Sequence, residues 1–183
     1  MHSISTDRQM NIRRVVTGHD KHGRAIVRVD EICGNVVSRR RRHQSCLIWS
    51  TGSFPADNSD DVDGGAREIG TTQPNGTLFR IVEYGPGVAP RNHRTESIDY
   101  AVVLSGEIDM QLDGTEVHLR AGDVLVQRGT IHNWVNRGTQ PCVIAFGPRR
   151  PGEPTSWRAF WRSISRRRSG SSSSSKTSLA PAT

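Results

Sequence analysis

An all-β fold, a sandwich or barrel, is what the 183 residues predict, and three observations carry that expectation. Apolar and polar residues alternate over short β-branched stretches, the period of a half-buried strand. Glycine-bearing turns such as GHDKHG, PNG, GPG, DG, AGD and NRGT separate those stretches at short intervals. Nowhere among them does the 3.6-residue period of an amphipathic helix emerge, which excludes a parallel α/β architecture.

The strands follow in chain order. Residues 12–17 and 24–29 flank GHDKHG, where an aspartate such as Asp20 commonly bonds its own backbone. Residues 45–50 come after the run Arg39 to Arg42, and 77–84 begin at the PNG turn. Six more are expected at 100–104, 107–112, 116–120, 124–127, 133–136 and 141–146. Asp113-Gly114 between MQL and TEVHL is a strong hairpin signal, because the turn needs a residue that tolerates positive φ.

Three segments stand outside the sheets. Residues 1–11 are read as a flexible N-terminus. The stretch 53–76 is polar, Gly-rich and longer than connections usually run, so it is either a functional loop such as a lid or a disordered acidic insertion. Residues 147–183 read as a basic, low-complexity, disordered tail, PRRPGEP being a linker and RRRSGSSSSSK remaining unfolded. Within that tail, Trp157, Phe160, Trp161 and Ile164 fall at i, i+3, i+4 and i+7, the spacing of a short helix over 156–165.

The formal charge is +7, but its distribution decides what it means. Between 77 and 147 six Arg face eight Asp plus Glu, net −2, while the excess lies in Arg39 to Arg42 and the tail. Four Trp, two Tyr and four Phe in the whole chain offer little for base stacking, so specific nucleic-acid recognition ranks below a small-molecule role. No apolar run approaches the length of a membrane span, and a cytoplasmic protein is expected. Cys33, Cys46 and Cys142 are odd in number and lack CxxC pairing, which argues for buried thiols rather than a disulfide framework. No glycine fingerprint for a dinucleotide pyrophosphate occurs, so NAD(P) is not expected.

The chemistry-bearing stretch is HRTESIDYAVVLSG, 93–106. In an extended chain His93, Thr95, Ser97 and Asp99 project from one face, and Tyr100, Val102 and Leu104 from the other, where packing is expected. His118 should point outward from its strand, whereas Trp134 shares parity with His132 and could line a pocket or fill a core. A histidine titrates near neutral pH, so His93 and His132 could pass a proton while Asp99 fixes a tautomer; buried structural histidines are the plain alternative.

Two glycine-bounded blocks frame these residues: Gly87-x5-His93-x-Thr95-x3-Asp99-x6-Gly106, and Gly122-Asp123-VLVQ-Arg128-Gly129-Thr130-Ile131-His132-x3-Asn136. Together they resemble the paired motifs of the cupin superfamily. The resemblance implies a double-stranded β-helix, a jelly-roll barrel over 12–146 with its motif core at 77–146, a pocket inside, and a homodimer. It also implies a divalent transition metal (Fe, Mn, Ni or Zn) held by His93, Asp99 and His132, with Thr95 where the family carries a second histidine and Asp99 where it carries glutamate. Thr95, Ser97 and Trp134 would line the pocket.

A narrower likeness rests on IRRVVTGHDKHGRAIV, WSTGSFPADN, TLFRIVEYGPG and the two motif blocks. These resemble small fungal cupin-domain-containing oxidoreductases of polyketide clusters, such as those making virensol-type or sordarial-type salicylaldehydes. The implied role is an accessory oxidoreductase acting on an aldehyde, alcohol or polyketide intermediate. Metal-free proton transfer or dehydration, and non-catalytic binding of a small molecule, stay open beside it.

Overall fold

A computed structural model of the chain describes residues 9–59, 61–70, 73 and 75–151, and all the regular structure in them is β. The strands are β1 Arg13–His19, β2 Ala25–Ile32, β3 Val36–Arg40, β4 His43–Ser50, β5 Leu78–Tyr84, β6 Ser97–Ser105, β7 Glu107–Leu112, β8 Thr115–Arg120, β9 Val124–Arg128, β10 Asn133–Val135 and β11 Cys142–Pro151. They form a six-stranded sheet in the order β3-β4-β5-β11-β6-β9, a three-stranded sheet β10-β7-β8 and the hairpin β1-β2. Every pairing is antiparallel, as the turn-separated pattern required.

Strand alternation builds the core. Cys142, Ile144 and Phe146 of β11 point between the two larger sheets, with Val82 and Tyr84 of β5, Ala101 and Val103 of β6, Ile108 and Met110 of β7, Leu119 and Trp134. The intervening Val143 and Ala145 face the other side, where they pack with Met10, Cys33, Cys46 and Ile81. One sheet therefore has two apolar faces, and the N-terminal segment covers part of the outer one.

Four details depart from the sequence reading. Strand β3 was not expected, because VVSRR is charged at one end; it is the edge of its sheet, where charged side chains discourage further pairing. Strand β11 runs past Phe146, with Arg150 opposite Ile98 and Pro151 opposite Ser97, since the start of β6 needs a main-chain partner whatever the side chains are. Tyr100, Val102 and Leu104 do not pack but stand 48%, 39% and 51% exposed beside Val124 and Val126 of the edge strand β9.

The fourth detail concerns the 53–76 loop, read as either a functional loop or a disordered insertion, which is tied down around its Gly pair. Asn35 Nδ2 donates to Gly65 O at 2.7 Å, Ser50 Oγ to Gly64 O at 2.7 Å, and Arg14 reaches Asp63 at 2.7 Å. A Cβ on Gly64 would sit 2.3 Å from Ser50 O, so only glycine permits this approach. The expected helix at 156–165 and residues 1–8 lie outside the described residues. No helix of the described residues is long and apolar enough to cross a membrane.

Candidate functional site

His93 and His132 meet through the main chain. They form an isolated antiparallel bridge, His93 N donating to His132 O at 3.1 Å and His132 N to His93 O at 2.9 Å. Their rings consequently lie 4.3 Å apart, centroid to centroid, tilted by 48°. Gly129 makes the approach workable: its φ of +63° turns the chain back, and a Cβ there would stand 3.0 Å from Thr95 O. The short turn after Arg128 thus leaves His132 in register with His93.

Strand parity places the acid. Ser97 and Asp99 face inward from β6 and are 5% and 1% exposed, while His93 and Thr95, on the same side just before the strand, are half-buried. Ser97 Oγ donates to Asp99 Oδ1 at 2.8 Å and Thr95 Oγ1 to Oδ2 at 3.4 Å. Arg94 and Glu96, of opposite parity, are exposed. The sequence reading grouped these residues correctly by face.

Gln127 is the residue it overlooked. It lies opposite Asp99 in the β6–β9 ladder, is 3% exposed, and brings Nε2 to 2.6 Å from His132 Nδ1. Thr130 O lies 3.1 Å from the same nitrogen. Gln127 can donate to a bare Nδ1, or a protonated Nδ1 can donate to Thr130 O, so both neutral tautomers of His132 have a partner. The available signal was a polar residue at an inward position of the alternating VLVQR. His93 Nδ1, when protonated, donates to Arg91 O at 3.1 Å, which leaves Nε2 as its basic nitrogen.

Trp134 forms the floor rather than an open wall. It is 3% exposed, with its ring 6.0 Å edge-on from His132, 5.8 Å from Tyr84 and 5.9 Å from Phe146. Asn136, at the end of the second motif block, clamps the fold: its Nδ2 donates to Tyr84 O at 2.7 Å and to Gln140 O at 2.9 Å. His118 points outward as its parity required and bonds Asp109 at 2.7 Å.

The described side chains are not placed as a three-donor set for the divalent ion that the resemblance implies. Thr95 turns its hydroxyl to Asp99, both Asp99 oxygens accept from side chains, and Nδ1 of His132 is engaged by Gln127 and Thr130. Among the described residues no three His, Cys, Asp or Glu side chains are placed to hold a metal ion. All three thiols are buried and unbridged; burial together with neighbouring Cys33 pushes Cys46 up to about 12, and burial pushes Cys142 up to about 11, away from the thiolate form.

Against known proteins, the cupin domain family matches residues 80–146. The phomopsin biosynthesis cluster protein C' of Diaporthe leptostromiformis is 40% identical over 134 residues, covering 68% of this chain and 70% of that protein. The cupin-domain-containing oxidoreductase fogC of Aspergillus ruber is 35% identical over 141 residues, 73% and 70% respectively. For the cupin-domain-containing oxidoreductase virC of Hypocrea virens the identity is 32% over 152 residues, 75% and 77%.

Proposed function

This chain belongs to the cupin family, and from that premise we propose that it is an oxidoreductase-like accessory enzyme acting on an aldehyde, alcohol or polyketide intermediate of fungal secondary metabolism. The relatives' names support the setting. The observation that carries the chemistry is the His93–His132 pair, rings 4.3 Å apart on one main-chain bridge, connected through Gln127 to the Asp99 rung. With its Nδ1–H donated to Thr130 O, His132 takes a proton at Nε2 from the carbon or hydroxyl next to a carbonyl and becomes imidazolium. His93 returns one at the neighbouring position. Asp99, held by Ser97, places negative charge in the same buried region.

Because these residues handle protons, enolisation or dehydration is the second reading, with plain binding as the third. Incubation with candidate aldehydes and alcohols in D2O separates them by NMR and mass. Deuterium gained beside the carbonyl at unchanged oxidation state marks proton transfer, and a two-electron change that depends on an added acceptor marks oxidoreduction. Saturable binding with neither outcome defeats the enzymatic reading. Changing His132 to Ala should slow conversion about 100-fold or more.

A homodimer is part of the same proposal. On the outer face of β6 and β9, Tyr100 opposes Val126 and Val102 opposes Val124, all exposed, and a second copy stacked on this face would cover the same patch twice. Val102→Asp should shift the protein to monomer in analytical ultracentrifugation. We place the chain in the reducing cytoplasm, a reading supported by its three unbridged cysteines.

A further inference from the structure

A cleft of about 610 Å³ lies between β3, β4 and β5 and the loop residues 65–70, and none of His93, Asp99 or His132 lines it. Among the described residues its walls carry Arg39, Arg67 and Arg80 and the carboxylate of Glu68. Val36, Leu47 and Ile69 give it apolar surface as well. The volume is that of a small-molecule site.

The next residue of β3 adds a second, independent observation. Arg40 is half-buried, its guanidinium carbon 5.9 Å above the Tyr84 ring, and its Nε and Nη1 are buried with no hydrogen-bond partner among the described residues. Such orphaned donors call for an explanation, and an uncompensated buried cation most of all. Burial, then repulsion from Arg91, depresses the Arg40 pKa despite the Tyr84 ring. His43, edge-on to Tyr84 at 5.5 Å, reports the same field: burial first, then Arg40, Arg91 and Arg39 push it down to about 4. Among the described residues the charges that act on it are the cations Arg40, Arg91 and Arg39.

We propose that the Arg39 end of this cleft binds the carboxylate of a small organic acid, held by Arg39 and Arg80 in a field reinforced by Arg40 and Arg91, with the acid's apolar body on Leu47 and Ile69. One charged head and an apolar body match the lining, whereas Glu68 opposes a dianion such as phosphate. The site is separate from the histidine pair and does not depend on the chemistry assigned there.

Isothermal titration calorimetry with sodium benzoate and with inorganic phosphate on the full chain tests this. Benzoate should bind saturably and more tightly than phosphate, and Arg39→Gln should weaken it about 10-fold, the value of one charge-assisted contact. Arg40→Met, which keeps the stem but removes the charge, should weaken benzoate while raising the thermal midpoint of the ligand-free protein, a combination that simple misfolding would not give. His132→Ala should leave the titration unchanged. Absence of saturation up to about 10 mM overturns the proposal. So does equal affinity for phosphate, the behaviour of a bare cationic patch, and so does binding lost in His132→Ala but kept in Arg39→Gln, which puts the acid in the barrel.

Discussion

Arg14 and Arg40 are both drawn off the surface, and the protein treats them in opposite ways. Arg14, 5% exposed at its side chain, holds Asp63 through both oxygens at 2.8 and 2.7 Å and also reaches Glu31. The Asp63 hydrogen bonds raise its pKa further, and Asp63 is in turn held below the usual carboxylate range, first by Arg14. Among the described residues no carboxylate acts on Arg40, and burial lowers its pKa. The first pair fastens a loop to the hairpin β1-β2; the second cation has no carboxylate partner among the described residues, in a region that also carries Arg39. A buried charge whose counter-ion lies within the chain is structure, and one with no counter-ion among the described residues is a candidate for an external one.

Four measurements would break or sharpen that contrast. Asp63→Ala leaves the buried Arg14 with only the half-exposed Glu31 as counter-ion and should cost about 3 kcal/mol in urea denaturation, with faster proteolysis of the 53–76 loop. Acid should act through His43, whose folded pKa of about 4 lies below the unfolded 6.5. The unfolded chain then binds the proton first, so the stability His43 contributes is full above pH 6.5 and is lost as pH falls toward 4. After allowance for its partial exposure the loss is at most about 2 kcal/mol, and His43→Gln should flatten that part of the pH–stability curve. Arg40→Met should move stability the other way from Asp63→Ala, up by about 1 kcal/mol in the ligand-free protein. Glu31→Gln should change it least, by under about 1 kcal/mol, because Glu31 is 48% exposed.

The sequence was informative wherever a local rule decides the outcome. Asp113-Gly114 closes the β7–β8 hairpin with Gly114 at φ +78°, and period-two parity put Thr95, Ser97 and Asp99 on one face and Arg94 and Glu96 on the other. Order and spacing of the glycine blocks led to the cupin fold. What escaped is what only pairing across strands creates. Gln127 gains meaning when β9 lies beside β6 and the chain doubles back to His132. Strand β3 and the far end of β11 are held by neighbours' main chain rather than by their own apolar pattern. Asp63 and Arg14, 49 residues apart, carry no mutual signal in the sequence.

The His93–His132 bridge has one further consequence. The two imidazoles hang from peptide groups that bond each other in both directions, so backbone geometry sets the spacing of the two residues, while Arg91 O, Thr130 O and Gln127 orient the rings. A change of wall residues elsewhere would then reshape the hollow while the main-chain spacing of the two histidines stays as it is.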